Sequence, residues 1–177
     1  PFEFYGEGFA VTNDTAYLKY SDLGAADIAS LDEELIPQED GTFLINPEFD
    51  QSMNDLRPYP ERFKGKLYIL INRGTGSAAS EFAAIAKSNQ IGVIVGEESG
   101  GVYEGVNGTS FLKFELPNSK MYLRTPLVSG TLAVKPAAEA ARGVMPDVQV
   151  HLRKEDLLIR NDRQLKQVKQ LIRESGE

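Results

Sequence analysis

The sequence predicts an α/β fold, and three neighbouring patterns carry the prediction. "KLYILIN" (66–72) is apolar and β-branched, which is typical of a strand buried on both faces of a sheet. "SAASEFAAIAKSN" (77–89) has helical spacing, and "IGVIVGE" (91–97) is a second apolar run. A strand, a helix and a strand over about 30 residues predict a right-handed βαβ unit with parallel strands. The helical pattern places three side chains on one side: Phe82, Ile85 and Ala86.

Before this unit the pattern is weak. "FEFYGEGFAVT" and "GTFLIN" are typical of short strands, and the acidic stretch "SDLGAADIASLDEELIPQEDG" is interpreted as a solvated connection between them. "RPYPERFKG" (57–65) holds two prolines and a glycine, so it predicts a loop that leads into the first buried strand.

After the βαβ unit, two alternating segments flank a turn. "TSFLKFEL" (109–116) and "KMYLRTPL" (120–127) surround "PNS" and predict a hairpin at one side of the sheet. "GVMPDVQVHL" (143–152) predicts another short strand. The tail predicts a helix capped by Asp162, with four apolar residues at helical spacing: Leu165, Val168, Leu171 and Ile172. We therefore expect one α/β domain over residues 1–177.

Composition limits the possible functions. The chain has 19 basic and 26 acidic residues, a net charge of −7, which argues against nucleic acid or an anionic membrane as partner. No stretch approaches the length of apolar sequence that a membrane span needs. The chain has no cysteine and a single histidine, His151, so thiolate catalysis and multi-histidine metal sites are excluded. We expect neither a metal nor a cofactor.

Ser77 begins the predicted helix, and two interpretations of it stay open from the pattern alone. Serine is a preferred N-cap residue, so Ser77 could simply cap the helix. It also follows a buried parallel strand, where open α/β sheets place their ligands, and the helix offers free N–H groups that suit an oxyanion. The spacing differs from the G-x-S-x-G elbow of α/β-hydrolases, since position 79 is Ala.

Longer stretches carry a resemblance to a known family. "LYILINRGTGSAASEFAAIAKSNQIGVIVGEESGG" resembles the nucleophile segment of the C-terminal-processing (tail-specific) serine peptidases, and "PFEFY", "LKY", "FLINP", "LPNSKMYLRTPL" and "RGVMPDVQV" resemble their tricorn-core-like branch in bacteria of the Bacteroidetes type. The resemblance implies a ClpP/crotonase-like fold, a mixed sheet flanked by helices. It also implies a serine endopeptidase that needs no cofactor, cleaves peptides or proteins through an acyl-enzyme on Ser77, and uses the Ala78 N–H as an oxyanion donor. A periplasmic or extracellular location is usual for the family.

The sequence departs from this family in its candidate bases. Where the Ser–Lys branch has its lysine and a late aspartate, this chain has Val102 and Ser88, so we expect a Ser–His–acid arrangement instead. The family histidine lies far upstream of the serine, and His151 is interpreted as an edge or structural residue. We therefore expect the chain to be the C-terminal part of a catalytic domain, inactive alone, with an upstream segment of the same protein supplying the general base.

Three glutamates are candidates around the site. Glu97 matches a Gly-Glu pair shared across the family, and we expect it to be structural. Glu98 is the candidate for the acid that orients the base, and Glu139 lies one residue from the place of a glutamate in the tricorn-like enzymes.

A glycine-rich segment follows the second buried strand. "GGVYEGVNG" (100–108) has no phosphate-binding spacing and predicts either a mobile rim of the substrate cleft or an ordinary hairpin loop. The alternative functions are a non-catalytic ligand- or peptide-binding module on the same fold, or an acyl-CoA hydratase-like enzyme that would not need Ser77.

Overall fold

The structure, a computed structural model, describes residues 4–5, 20–24, 26, 30, 33–39, 43–49, 59–61, 63–107, 111–126, 130–137, 139 and 141–176. The chain divides into two compact units, Pro1–Pro58 with Gly105–Ala133, and Tyr59–Glu104 with Val134–Glu177. In chain order the elements are β1 (Phe4–Tyr5), β2 (Leu35–Pro37), β3 (Phe43–Ile45), β4 (Tyr68–Ile71), α1 (Ala78–Ser88), β5 (Val93–Gly96), β6 (Gly105–Val106), β7 (Phe111–Glu115), β8 (Tyr122–Pro126), β9 (Gly130–Leu132), β10 (Val148–Gln149), α2 (Lys154–Leu158) and α3 (Arg163–Glu174). The predicted α/β class is confirmed.

The second unit contains the predicted βαβ arrangement. Its sheet has the order β10–β5–β4, and both pairs are parallel. Tyr68 lies opposite Val93, and Val148 lies opposite Val95. Parallel strands need a crossover, and α1 provides it between β4 and β5. The carboxyl ends of the three strands therefore meet at one edge of the sheet.

The prediction that β4 is buried on both faces was wrong. Ile71 is 2% exposed, whereas its neighbour Leu70 is 41% exposed. Successive side chains of a strand point to opposite faces, so one face of β4 is covered and the other is largely open. The middle strand β5 does match the expectation, with Ile94 and Val95 both fully buried.

Helix α1 buries a face of small residues. Of the residues predicted on one side of the helix, Phe82 is 58% exposed, whereas Ala86 is buried. Small side chains let the helix backbone approach the sheet, and a phenylalanine there would hold it away. The buried residues of the helix are Ser80, Ala83, Ala84, Ala86 and Ser88.

Helix α3 packs against part of the carboxyl edge of the sheet, at the end of β4. The predicted cap is confirmed, because the Leu165 N–H donates to Asp162 Oδ1 over 2.8 Å. The apolar face matches only in part, since Val168 is buried while Leu165 is 40% exposed. The inner position of the first turn is occupied by Gln164, which is 4% exposed. Its Nε2 donates to the carbonyl oxygen of Ile71 over 3.3 Å and so ties the helix to the end of β4.

The first unit is made of short antiparallel pairs. The predicted hairpin forms as β7 and β8, which make a two-stranded sheet of their own with Phe111 opposite Pro126. Strand β3 lies in "GTFLIN" as expected, but it pairs with β2, which lies inside the acidic stretch interpreted as a connection. Strand β1 pairs with β9. Residues 6–12 of the predicted first strand and residues 57–58 of the predicted loop are outside the described residues.

Candidate active site

A short turn joins β4 to α1 and carries the candidate nucleophile. The Asn72 N–H donates to Thr75 Oγ1 over 3.0 Å, and the Thr75 N–H donates back to the Asn72 carbonyl oxygen over 2.8 Å. Asn72 Oδ1 also accepts from the Gly74 N–H over 2.8 Å. These bonds close the turn on itself, so its geometry is fixed locally before the chain reaches Ser77.

Ser77 has a strained backbone. Its φ is 53° and its ψ is −134°, a backbone conformation that residues other than glycine seldom adopt. Such a conformation costs about 1–3 kcal/mol and persists only where the surrounding structure imposes it. The side chain is exposed, and its Oγ has no hydrogen-bond partner among the described residues.

The interpretation of Ser77 as a side-chain cap was therefore wrong. Ser77 stands at the N-cap position of α1, but its hydroxyl makes no capping hydrogen bond. Its carbonyl oxygen accepts from the N–H groups of Ser80 and Glu81 at 2.9 and 3.1 Å. A serine with a positive φ at the start of a helix, with its hydroxyl exposed, is similar to the serine of a nucleophile elbow, although the spacing of that motif is absent here.

The start of α1 offers backbone donors beside this hydroxyl. The Ala78 N–H is at the first helical position and has no acceptor among the described residues. Ala78 and Ala79 are both exposed, so no bulky side chain covers the helix end. The free N–H and the positive end of the helix dipole suit an oxygen that becomes negative.

The Thr75 carbonyl oxygen is the point where the turn is held against a neighbouring loop. It accepts from Ser80 Oγ at 2.7 Å, from the Gly100 N–H at 2.8 Å and from the Gly101 N–H at 3.1 Å. Ser80 is 1% exposed, so these bonds lie in the interior. We call this group of contacts the Thr75 clamp.

The clamp shows that the start of the glycine-rich segment 100–108 is packed against the serine turn. A Cβ added at Gly101 would lie 2.4 Å from Ser80 Oγ, and one at Gly100 would lie 2.2 Å from the Arg73 carbonyl oxygen. Tyr103 is 9% exposed. The glycines at 100 and 101 are therefore needed for close packing against the serine turn.

Glu98 is fixed by a bidentate ion pair. Arg142 Nε and Nη2 donate to its two oxygens, each over 2.8 Å, and the Gly143 N–H donates to Oε1 over 2.9 Å. The hydrogen bonds from Arg142, followed by the one from Gly143, lower the pKa of Glu98 from 4.5 to about 2. No hydrogen bond joins Glu98 to Ser77 among the described residues, and one lone-pair position on Oε2 stays free of the bonds named here.

The other candidates lie in structural contacts. Glu97 Oε1 accepts from the Leu152 N–H over 3.1 Å and lies 3.4 Å from Nδ1 of His151, whose side chain is 70% exposed. Glu139 Oε2 accepts from Arg142 Nη1 over 2.7 Å, so it shares its partner with Glu98. Thus two of the three glutamates meet at one arginine.

The two positions where the Ser–Lys branch has its lysine and a late aspartate contain no base. Val102 is 45% exposed and forms an isolated antiparallel bridge with Gly143. Ser88 is buried, and its Oγ accepts from the Lys135 N–H over 2.9 Å. Both residues therefore have a part in packing or backbone pairing.

Sequence reasoning missed Thr75, Ser80 and Arg142. Thr75 and Ser80 flank the candidate nucleophile, but nothing in their local pattern shows that Gly100 and Gly101 approach them. Arg142 is separated from Glu98 by 44 residues, so only the fold reveals the pair. A signal was available for the glycines, because two in a row after a buried strand often mark a close backbone approach.

Within the described ranges, no group of three or more histidine, aspartate or glutamate side chains is arranged to hold a metal ion. None of the described helices is long and apolar enough to cross a membrane.

Comparison with known proteins gives one family. The family model described as Peptidase family S41 matches residues 14–150, which is well over half of the chain and includes β4, α1, β5 and the Thr75 clamp. No curated protein gives a match.

Proposed function

Because the chain belongs to peptidase family S41, we propose that it is a serine endopeptidase whose nucleophile is Ser77. The family places the chain among the peptidases, which are hydrolases of peptide bonds. The observation that supports Ser77 most is its strained backbone at φ 53° with an exposed, unpaired hydroxyl. Strain of this kind is costly, and an active site is where proteins most often retain it.

In the proposed reaction, Ser77 Oγ attacks the carbonyl carbon of the substrate peptide and an acyl-enzyme forms as the C–N bond breaks. The Ala78 N–H stabilises the oxyanion of the tetrahedral intermediate. Water then hydrolyses the ester and restores the serine. The steps require a base that takes the Ser77 proton and later delivers it to the leaving amine.

We place that base outside the described residues, because no group among them is hydrogen-bonded to Ser77 Oγ. Glu98 is our candidate for the acid that orients it. The carboxylate is already ionised, and the free position on Oε2 can accept one more hydrogen bond. Within the family we favour the tricorn-core-like branch, since Val102 and Ser88 stand where the Ser–Lys branch has its lysine and a late aspartate. We also propose the ClpP/crotonase-like fold that the resemblance implies.

A fluorophosphonate probe tests the nucleophile on the full-length protein. We expect covalent labelling at Ser77, detected by peptide mass spectrometry, and none in Ser77→Ala. Ser119→Ala, a change at an exposed hairpin serine, is the matched control and should label normally. An intact, folded protein that does not label at Ser77 would favour the alternative, a peptide-binding module on the same fold.

Turnover gives a second test. Ser77→Ala cannot form the acyl-enzyme, so kcat on an unstructured protein substrate should fall by several orders of magnitude. We also propose a periplasmic or extracellular location, which fractionation of cells that express the native gene would examine.

A further inference from the structure

A cavity of about 400 Å³ opens at the carboxyl edge of the sheet, next to the serine turn. Asn72 belongs to both, since it lines the cavity and its carbonyl oxygen accepts from the Thr75 N–H. The rest of the lining comes from 152–164, beyond the end of the family match at residue 150. Ligands of open α/β sheets bind at the carboxyl ends of strands, so the cavity lies where a bound substrate could reach it.

Two amide oxygens of this lining have no donor among the described residues. Asn161 Oδ1 is buried and unpartnered, while Asn161 Nδ2 donates to Asp156 Oδ1 over 2.6 Å. Gln164 is 4% exposed, and its Nε2 donates to the Ile71 carbonyl oxygen, which leaves Oε1 as the unpaired end. Because each nitrogen has its acceptor, the orientation of both amides is fixed and both oxygens lack a partner.

The lining of the same cavity also contains hydrogen-bond donors that have no acceptor among the described residues. The Arg160 guanidinium has no hydrogen bond or ion pair with a described residue. Asn72 Oδ1 accepts from the Gly74 N–H, which leaves Asn72 Nδ2 as its unpaired end. The lining therefore presents hydrogen-bond acceptors and donors together.

The charges in the lining are balanced when Arg163, which pairs with Asp156 from outside it, is counted. Asp156 lies 2.8 Å from Arg163 Nε, and Asp162 caps α3, so both carboxylates are already engaged. Arg160 and Asp162 contribute opposite charges to the same lining. A neutral ligand with both N–H donors and a carbonyl acceptor fits this set better than an ion of either sign.

We propose that this cavity is a substrate subsite for a side-chain carboxamide, that of a glutamine or asparagine in the peptide. The inference rests on the proposed peptidase function. Because Asn161 Oδ1 is fully buried, the carboxamide NH₂ donates to Gln164 Oε1, and its oxygen accepts from Arg160 and Asn72. A carboxylate would leave Gln164 Oε1 without a donor, and a cation would face Arg160.

Binding to the full-length Ser77→Ala protein tests the subsite without turnover. Fluorescent peptides of one parent sequence would carry Gln at each of the successive positions in turn, with matched Met, Glu and Lys series. At one position we expect Gln to bind at least about tenfold more tightly than Met, because a polar site rejects an analogue that lacks its hydrogen-bonding group. Arg160→Ala and Gln164→Met should each remove that preference and leave the Kd of the Met peptide unchanged.

Arg173→Ala is the matched control, since it removes an exposed cation from α3 outside the lining, and it should keep the preference. If Gln164→Met does not fold, the Arg160→Ala measurement decides. Equal binding of Gln and Met at every position overturns the subsite, and tighter binding of Glu or Lys than Gln overturns the carboxamide assignment. Cleavage by the wild-type protein is measured separately, so a protein that selects Gln but cleaves nothing contradicts only the peptidase.

Discussion

At position 77 the proposed chemistry requires a serine, whereas the backbone conformation favours a glycine. The hydroxyl is the group that the proposed chemistry needs, whereas a φ of 53° is a conformation that glycine adopts most easily. Since the hydroxyl makes no capping bond, it contributes nothing visible to the stability of α1. Stability and activity at this residue should therefore separate.

Two substitutions at Ser77 should have different effects on folding. We expect Ser77→Ala to leave the free energy of unfolding nearly unchanged, because no hydrogen bond is lost. Ser77→Gly should raise it by about 1 kcal/mol, since glycine relieves the strain. Both variants should be inactive, and urea unfolding measures the difference. A loss of about 1 kcal/mol in Ser77→Ala would instead mean that the hydroxyl caps the helix in solution.

The ion pair of Glu98 makes a prediction about pH. Arg142 and the Gly143 N–H lower the pKa of Glu98 to about 2, below its ordinary value of 4.5. The stability that this carboxylate contributes is therefore fully present above pH 4.5 and is lost as the pH falls towards 2. In Glu98→Gln, and equally in Arg142→Gln, the free energy of unfolding should depend less on pH in that window. An unchanged pH dependence in both variants would contradict the ion pair.

Glu98→Gln also separates the proposed acid from a purely structural partner of Arg142. If Glu98 orients the base, kcat at neutral pH should fall by orders of magnitude with little change in KM. Glu139→Gln is the matched control, because it removes the other carboxylate on the same arginine. A kcat that falls equally in both variants would assign the effect to Arg142.

Among the helices and strands, the local sequence pattern correctly predicted those features that depend on neighbouring residues. The apolar runs located β4 and β5, and Asp162 marked the start of α3. What was missed depends on partners that are distant in the chain. Phe82 was grouped with Ala86 on one side of α1, but only small residues fit where the helix lies close to the sheet, and Phe82 is exposed. The strain at Ser77 leaves no trace in the sequence, because the residue is not a glycine.

The Thr75 clamp predicts the effect of a substitution at Gly101. Gly101→Ala would place a methyl carbon 2.4 Å from Ser80 Oγ, so the loop and the serine turn must move apart. We expect the free energy of unfolding to fall by about 1–3 kcal/mol, as for an overpacked interior, and kcat to fall with it. Gly76→Ala is the matched control for stability, because its methyl group meets nothing within 4 Å.

A double substitution checks that the clash is the cause. Ser80→Gly removes the two atoms nearest to the added methyl group, so it should reduce the stability cost of Gly101→Ala. Strictly additive effects in the thermal or urea unfolding of the four proteins would contradict the clamp.

At the scale of the whole molecule, the family match and the turn geometry lead to one prediction. Residues 1–177 contain the proposed nucleophile and one proposed oxyanion donor, but no described residue is hydrogen-bonded to Ser77 Oγ as a base would be. A serine hydroxyl without a base is a weak nucleophile. If the base lies in an upstream segment, as proposed, the 177-residue chain alone should show no turnover of an unstructured protein, and a chain that includes that segment should. Activity of the short chain that survives His151→Ala would place the base among its own lysines or carboxylates.

The hydrogen bond between Gln164 and the Ile71 carbonyl oxygen also has a consequence for the order in which the chain folds during its synthesis. The two residues are 93 positions apart. Translation adds about 5–20 residues per second, so the end of β4 leaves the ribosome roughly 5 to 19 seconds before the side chain that covers it. During that interval the edge of the nascent sheet next to Ser77 is uncovered. The end of β4 therefore stays exposed until α3 has been made.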